Sequence, residues 1–596
     1  MKSRPPVLPG TASRNGSAAR RTTLVVCGYS LALSALILGP LLGPGYLLLR
    51  DAVSTPRSYL TDAALGLSDA AARAVPQDAV LAVLSTVVDG GLLVKAILLA
   101  CLWLTGTGTA RMVRTLLPTA TLGPQLVAVT VALWNPYVAE RLLQGHWSLL
   151  AGYAALPWTV SAAVAIRRGR RWGWFALAAS AAAAGLTPTG AMLATVTALV
   201  VLAAPGGVTR TATRLAGALA LSLAASAPWL VATAVSSGAA GEGSDPAGVA
   251  AFAARAEPGL ATIGSLLGLG GIWNSTAVPN TRTSLFAVAG TVLLIAVVVM
   301  GLPALWRRRR NPVIGGLAVL AVVAAVGPAL GATAWGLSLG EWAVQAIPGS
   351  GLLRDAQKWV ALAFPLYALA GAAAVMRKQF TPAWSAAAAL AILLALPDLA
   401  WGVGGALKPV RYPDSWNQVA AELSADADTG DVAVLPAGMF RKFDYSGSAP
   451  VLDPAPRMLP EDVLQTGELP VAGGKVAGEG TRAEAVETHL LSGGSTEDLA
   501  ALGVRWVLVE QRTPGEMGNS EQTLAQLEKT YDDGDLALYR VEGDVPADST
   551  SASARVTVLI AHGLWVVLLV GGIGGAGLAV RVNEKISLGK DRRNQT

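Results

Sequence analysis

Three short stretches of this chain bring acids and bases together at the ends of apolar runs. The first is Arg50-Asp51, which follows Gly43-Pro44-Gly45-Tyr46-Leu47-Leu48-Leu49 and opens a loop carrying Asp62, Asp69 and Asp78. The second is Asn135-Pro136-Tyr137-Val138-Ala139-Glu140-Arg141-Leu142-Leu143-Gln144-Gly145-His146-Trp147. The third is Leu353-Arg354-Asp355-Ala356-Gln357-Lys358-Trp359. A carboxylate can take the proton of an attacking hydroxyl, and nearby cations can steady departing negative charge. Ionisable residues where a spanning helix meets the polar interface are uncommon and tend to have a use.

Each stretch also has a plainer reading. Arg50 can snorkel while Asp51 caps the next helix. His146 and Trp147 can serve as interface anchors, and Asp355 as a helix cap beside two snorkelling cations. On the functional reading, Arg354 and Lys358 stand at i and i+4 and share one helix face. They would lie at a helix N-terminus, where backbone N–H groups already favour an anion such as a lipid phosphate. Arginine offers a fork and lysine a point charge, so Arg354 is expected to hold that phosphate more strongly.

The elements that position these residues are mostly membrane spans. Of the 596 residues, 53% are hydrophobic and 14% charged, against roughly 25% charged in soluble proteins. Apolar runs of spanning length recur, at about 22–49, 91–110, 115–134, 148–166, two in a hairpin broken at Thr187–Gly190, 215–235, one ending at Trp306, 312–333, one ending before Arg377, one ending near 400, and 555–580. The predicted fold class is thus a multi-pass α-helical membrane protein of about 12 spans with one polar insert. The first run reads as a retained signal anchor, because it lacks a clear small-x-small cleavage site. Residues 1–21 read as a disordered basic tail, 22–407 as the membrane domain, 408–553 as a polar domain, 554–580 as the last span and 581–596 as a second basic tail.

Charge placement predicts the sidedness. The two tails and alternate loops hold 24 of the 45 Lys and Arg residues and only two acids, Glu584 and Asp591. That separation follows the positive-inside rule, so both termini are expected to be cytoplasmic and the insert extracytoplasmic at the plasma membrane. The first loop is expected to hold amphipathic pieces at Leu60–Ala74 and Ala79–Val88, with Asp62, Asp69 and Asp78 on a solvated face. The insert alternates helix and strand: helices at Trp416–Leu423 and Glu497–Leu502, and strands at Asp431–Pro436, Val504–Val509 and Leu536–Val541. That pattern predicts an α/β domain. Asp426/Asp428 and Asp532–Asp535 read as turns rather than metal sites. Cys27 and Cys101 lie in apolar runs, so the insert has no disulfide. His489 stands alone in the insert, and no nucleotide or nucleic-acid motif is legible.

The topology resembles the GT-C glycosyltransferases. The stretch from Asn135 to Trp147 is similar to one in the N-terminal membrane region of large actinobacterial arabinofuranosyltransferases. Leu353-Arg354-Asp355-x-x-Lys358-Trp359 resembles the start of a late span in that group and in YfhO-like membrane proteins. The resemblance implies sugar transfer, of arabinofuranose or mannose, from a polyprenyl-phosphate donor to a cell-envelope glycan or glycolipid acceptor. It implies Asp51 as the first-loop base. The residues themselves point to Glu140 as a second, acceptor-positioning acid, Arg354 and Lys358 at the donor phosphate, and Arg50, Arg141, His146, Trp147 and Asp355 lining the site. No cofactor is expected. The first loop lacks the Asp-x-Asp of metal-dependent members, so no metal is expected either. A non-catalytic scaffold or lipid-handling partner in envelope assembly is the alternative. A transporter fits less well, because the polar groups lie at span ends rather than at the midplane, Lys95 and Thr187–Gly190 excepted.

Overall fold

The computed structural model describes residues 11–593 apart from 69–71, 73, 236–245, 348, 377–380, 427, 429, 472–473 and 547–549. Asp69 and the Arg377-Lys378 pair therefore lie outside the described residues, as do residues 1–10 and 594–596 of the two tails. Helix begins already at Thr11, inside the segment expected to be disordered, and the last helix runs on to Arg593.

Among the described residues, seven helices are long and apolar enough to cross a membrane, or nine if each of two bent pairs is one span. The bent pairs are Thr211–Ala225 with Ala227–Val235, at 61°, and Thr381–Ala395 with Pro397–Gly405, at 76°. The expected count of about 12 is not confirmed. The three other apolar runs fold as helices of 12, 13 and 16 residues: Leu122–Leu133, Trp172–Ala184 and Pro188–Ala203. At about 1.5 Å per residue these reach only about 18–24 Å, short of a hydrocarbon core about 30 Å thick.

Local chemistry explains one such stop. Asn135 precedes a proline, which pushes it out of helical conformation and ends Leu122–Leu133. Its side chain then accepts the Val138 N–H at 3.1 Å and caps a new helix, Pro136–Gln144. Proline at the first helical position suits this start, and Gly145 (φ 88°) ends the helix in the left-handed region. This short corner helix is buried at every position.

The first span also ends earlier than its apolar run. Helix gives way at Leu38 to a 3₁₀ turn, Gly39–Leu42, and Tyr46–Leu49 is a strand. Lys95 holds this exit by donating to the carbonyls of Gly43 (2.5 Å) and Gly45 (2.6 Å). The strand pairs antiparallel with Ala52–Val53 on one side and with Pro409–Val410 on the other. In the first loop, the described residues of the expected helix at 60–74 hold one helical turn, Asp62–Leu65, and the second helix spans Gln77–Leu84. Asp62 and Asp78 are not simply solvated, because they pair with Arg555 (2.7 Å) and Arg457 (3.0 Å). A further helix, Ala334–Ala346, fills what reads as a loop after the span Pro312–Gly331.

The polar domain holds a four-stranded sheet in the order Glu528–Asp532, Leu536–Arg540, Val504–Glu510, Asp431–Leu435. Only the last pair is parallel. Val504–Glu510 is buried throughout, as a central strand covered on both faces should be. Helix Ser415–Ala425 presents Trp416, Val419, Ala420 and Leu423 to one face, against Val432, Trp506 and Leu508. Helices Thr481–Ser492 and Thr496–Ala501 cover the other, against Ala433, Leu435 and Val507. The turn acids Asp426 and Asp428 both pair with Arg540, at 3.2 and 2.7 Å.

The two parts of the chain share structure. Leu48 and Val53 of the first loop belong to the same apolar core as Trp416 and Leu508. Arg441, buried, pairs with Asp453 (3.0 Å) and with Glu510, which fixes the short strands Phe440–Arg441 and Val451–Leu452. The Leu452 N–H then donates to the Arg50 carbonyl at 2.8 Å.

Candidate active site

The three sequence stretches converge beside this seam. Leu49 pairs with Ala52, so Arg50 and Asp51 form a two-residue hairpin turn. Arg50 sits at φ 48°, a left-handed conformation that costs a residue with a Cβ about 1–2 kcal/mol. Its guanidinium offsets this by donating to the Leu143 carbonyl (2.6 Å) and to the Thr276 carbonyl. Arg50 is therefore a clamp between the turn, the corner helix and the 274–276 segment.

Gly145 lets the corner helix touch that turn. A Cβ there would lie 2.3 Å from the Ala52 nitrogen and 2.6 Å from the Leu49 carbonyl oxygen. The close approach lets the Asp51 N–H donate to the Gln144 carbonyl at 3.1 Å. Asp51 Oδ2 then accepts from Gln144 Nε2 (3.1 Å) and lies 2.9 Å from His146 Nε2.

A chain of buried polar groups runs inward from there. Arg141 Nη1 is 2.9 Å from His146 Nδ1. A guanidinium has no acceptor, so Nδ1 must accept and the imidazole proton must sit on Nε2, donated to Asp51. Burial holds His146 below its usual pKa; the Asp51 bond opposes this and the charge of Lys358 adds to it. The ring is thus a neutral, oriented donor, and Asp51 is an acceptor. Arg141 also clamps Asp355 with both arms, at 2.9 and 3.2 Å, and donates to Gln357 Oε1. Burial raises the Asp355 carboxyl, but Arg141 and Lys358 together outweigh it and hold that group below the carboxylate range.

Glu140 lies deeper and is fully buried. Its two oxygens accept the N–H groups of Gly271 and Ile272, each at 3.2 Å, and Gln357 Nε2 donates at 3.0 Å. Burial, and then the charge of Glu257, push its pKa well above the usual range. Glu257 is itself buried and paired with Arg282. Gly270 passes between the two carboxylates, and a Cβ there would lie 2.7 Å from Glu257 and 3.1 Å from Glu140.

The third stretch departs from its expected geometry. Ser350–Leu353 and Ala356–Ala363 are 3₁₀ helices, with Arg354 and Asp355 between them. At three residues per turn, i and i+3 eclipse while i and i+4 do not. Lys358 accordingly faces Asp355, with Nζ 3.5 Å from Oδ2. Arg354 turns away and lies over the Phe252 ring, 5.1 Å from its centroid. The expected shared face does not form.

Of the expected site residues, then, Asp51, His146, Arg141, Asp355 and Lys358 form one cluster. Arg50 braces it, Glu140 lies behind it, Trp147 is buried in the apolar core, and Arg354 stacks beside it. The side chains of Asp51, His146 and Lys358 keep 27%, 18% and 23% exposure, so these three can meet a ligand. Arg141 keeps none. Gln144, Gln357, Glu257, Arg282 and Asn274, whose Nδ2 donates to Gln144 at 2.8 Å, are not marked as site residues by the sequence. Among the described residues no group of three or more His, Cys, Asp or Glu is gathered to hold a metal.

The cluster lies at the end of a bundle of apolar helices, beside the sheet-containing domain. Two solved structures match 88% of the chain. One is arabinofuranosyltransferase AftD from Mycobacteria, at TM-score 0.58 and 17% identity; the other is a mutant of the same enzyme, at 0.56 and 18%. At these identities the likeness is one of fold. The chain spans 40% and 42% of the length of those chains. The fold expected from the sequence is thus matched in three dimensions. No protein-family model matches the sequence, and no curated protein matches it.

Proposed function

We propose that the chain is an integral-membrane GT-C glycosyltransferase. It moves a sugar, arabinofuranose or mannose, from a polyprenyl-phosphate donor to a cell-envelope glycan or lipid on the extracytoplasmic side. Asp51 is the general base. It takes the proton of an acceptor hydroxyl as that oxygen bonds to the anomeric carbon. The bond from that carbon to the phosphate oxygen breaks, and polyprenyl phosphate leaves with the electron pair. Lys358 receives the departing phosphate, and the neutral His146 holds Asp51 in place.

The observation that carries this reading is the arrangement of Asp51. It is a partly exposed carboxylate whose two side-chain donors, Gln144 and His146, orient it without neutralising it. A base in this role contributes about 10²–10⁴-fold to rate. The test is transfer from a radiolabelled polyprenyl-phosphoryl sugar in membranes holding the full chain. Asp51→Asn should fold, bind polyprenyl phosphate and lose that factor in transfer. Full transfer by Asp51→Asn would remove the base from the mechanism.

A further inference from the structure

Helix Ala334–Ala346 has 13 residues and three distinct sides. With about 3.6 residues per turn, Gly336, Gly340 and Val344 share one side. That side faces protein: Gly336 and Val344 are buried, and a Cβ on Gly340 would lie 2.7 Å from Val249. The opposite side carries Trp335, Leu339 and Trp342, which are 59%, 54% and 57% exposed. Ser338 and Gln345 are exposed along one border of that stripe, next to Glu341. A helix in plain water has no reason to expose two tryptophans and a leucine in register. A spanning helix would be longer and would not carry a polar border along its length.

We propose that this helix lies in the plane of the membrane, seated in the leaflet on the polar-domain side. Three features select a lipid surface rather than another protein. The helix follows the span Pro312–Gly331 after two residues, so its start is held at the membrane boundary. Its exposed stripe is built on tryptophan, the residue that prefers the headgroup level. It presents a separate polar border to water, as an interfacial helix must. The apolar exposure continues through Ile347, Leu352 and Leu353, at 48%, 39% and 54%, to Arg354 at the lip of the cluster. The leaflet thereby reaches the edge of the cluster at Arg354. Helix Ala247–Ala251, against which Gly340 packs, leads on to Phe252 under Arg354.

The test reads depth in lipid and is independent of any sugar transfer. Cys27 and Cys101 are replaced by alanine, and a single cysteine at Leu339→Cys or Gln345→Cys carries an environment-sensitive fluorophore. The full chain is placed in phosphatidylcholine nanodiscs with a nitroxide near the acyl carbonyl. Quenching at 339 is expected to exceed that at 345 by about threefold, because only the stripe enters the boundary region. Equal quenching at the two positions would overturn the proposal. So would unquenched 339 that instead forms a crosslink between two copies of the chain. If the alanine replacements unfold the protein, brominated-lipid quenching of the native chain is compared with Trp335→Phe/Trp342→Phe. Loss of a quenchable tryptophan fraction supports the seat, and unchanged quenching overturns it.

Discussion

Arg141 donates to the Nδ1 atom of His146 at 2.9 Å, and this one bond sets the protonation of the ring. Because an arginine cannot accept, the imidazole proton is confined to Nε2, facing Asp51. Protonating Nδ1 would turn a hydrogen bond into a contact between two cations.

The first prediction follows from that contact. The folded His146 has a lowered pKa, so the unfolded chain binds the proton more readily. Its contribution to the site is full above the ordinary imidazole pKa of about 6.5, and is lost as pH falls toward the folded value. A pH–rate profile of transfer should fall on the acid side. His146→Gln should lower the rate at all pH values and change the shape of that acid fall. An unchanged acid limb in His146→Gln would assign it to another group.

The second prediction reverses the order read from the sequence. Arg354 lies over Phe252, whereas Lys358 lies beside Asp355 and keeps an exposed edge near His146. Lys358→Ala should weaken polyprenyl phosphate binding about tenfold or more, the equivalent of about 1.4 kcal/mol. Arg354→Ala should weaken it less. Affinities measured by titration of the purified chain decide this, and a larger loss in Arg354→Ala would move the phosphate seat.

The third concerns stability. Arg141 and Asp355 are both buried, and removing Arg141 leaves Asp355 with Lys358, at 3.5 Å, as its remaining cation. Arg141→Met should destabilise the protein by about 3–5 kcal/mol, seen as a lower melting temperature in detergent. Arg141→Met/Asp355→Leu should regain most of that loss while staying inactive. If the double variant melts no higher than the single one, the pair is not the cause.

The fourth concerns Glu140. Both its oxygens receive N–H donors, so an amide NH₂ in place of either one points a donor at a donor. Glu140→Gln should cost about 1–3 kcal/mol and speed hydrogen exchange at Gly271 and Ile272. Phosphate binding through Lys358 should persist. Unaltered exchange at both amides would show that the carboxylate does not hold that segment.

Part of this was legible in the sequence. Asn135-Pro136 and Gly145 are local signals, and the corner helix starts and stops where they stand, although the stretch reads as a tight turn between two spans. Three strands of the polar domain, Asp431–Leu435, Val504–Glu510 and Leu536–Arg540, were visible because apolar runs of five or six residues lie between turn residues, whereas the polar edge strand Glu528–Asp532 was not. Tyr46–Leu49 was not, because Leu47-Leu48-Leu49 reads equally well as the end of a span. The 3₁₀ geometry of Ala356–Ala363 has no local mark, and the i, i+4 argument for Arg354 and Lys358 failed with it. Gln357, Glu257 and Arg282 carried no signal, because each acts on partners far away in sequence. Glu140 and Gln357 are 217 residues apart.

The strand beside Asp51 also has a history during synthesis. Tyr46–Leu49 pairs with Pro409–Val410, about 360 residues later in the chain. At about 5–20 residues per second, a ribosome makes the second partner roughly 20–70 s after the first. For that interval one edge of the strand is an open template, and the Arg50 carbonyl lacks the N–H it later receives from Leu452. The corner that carries Asp51 is therefore completed late although its acid is made early, so a nascent chain released before Leu452 carries Asp51 without the edge that shapes it.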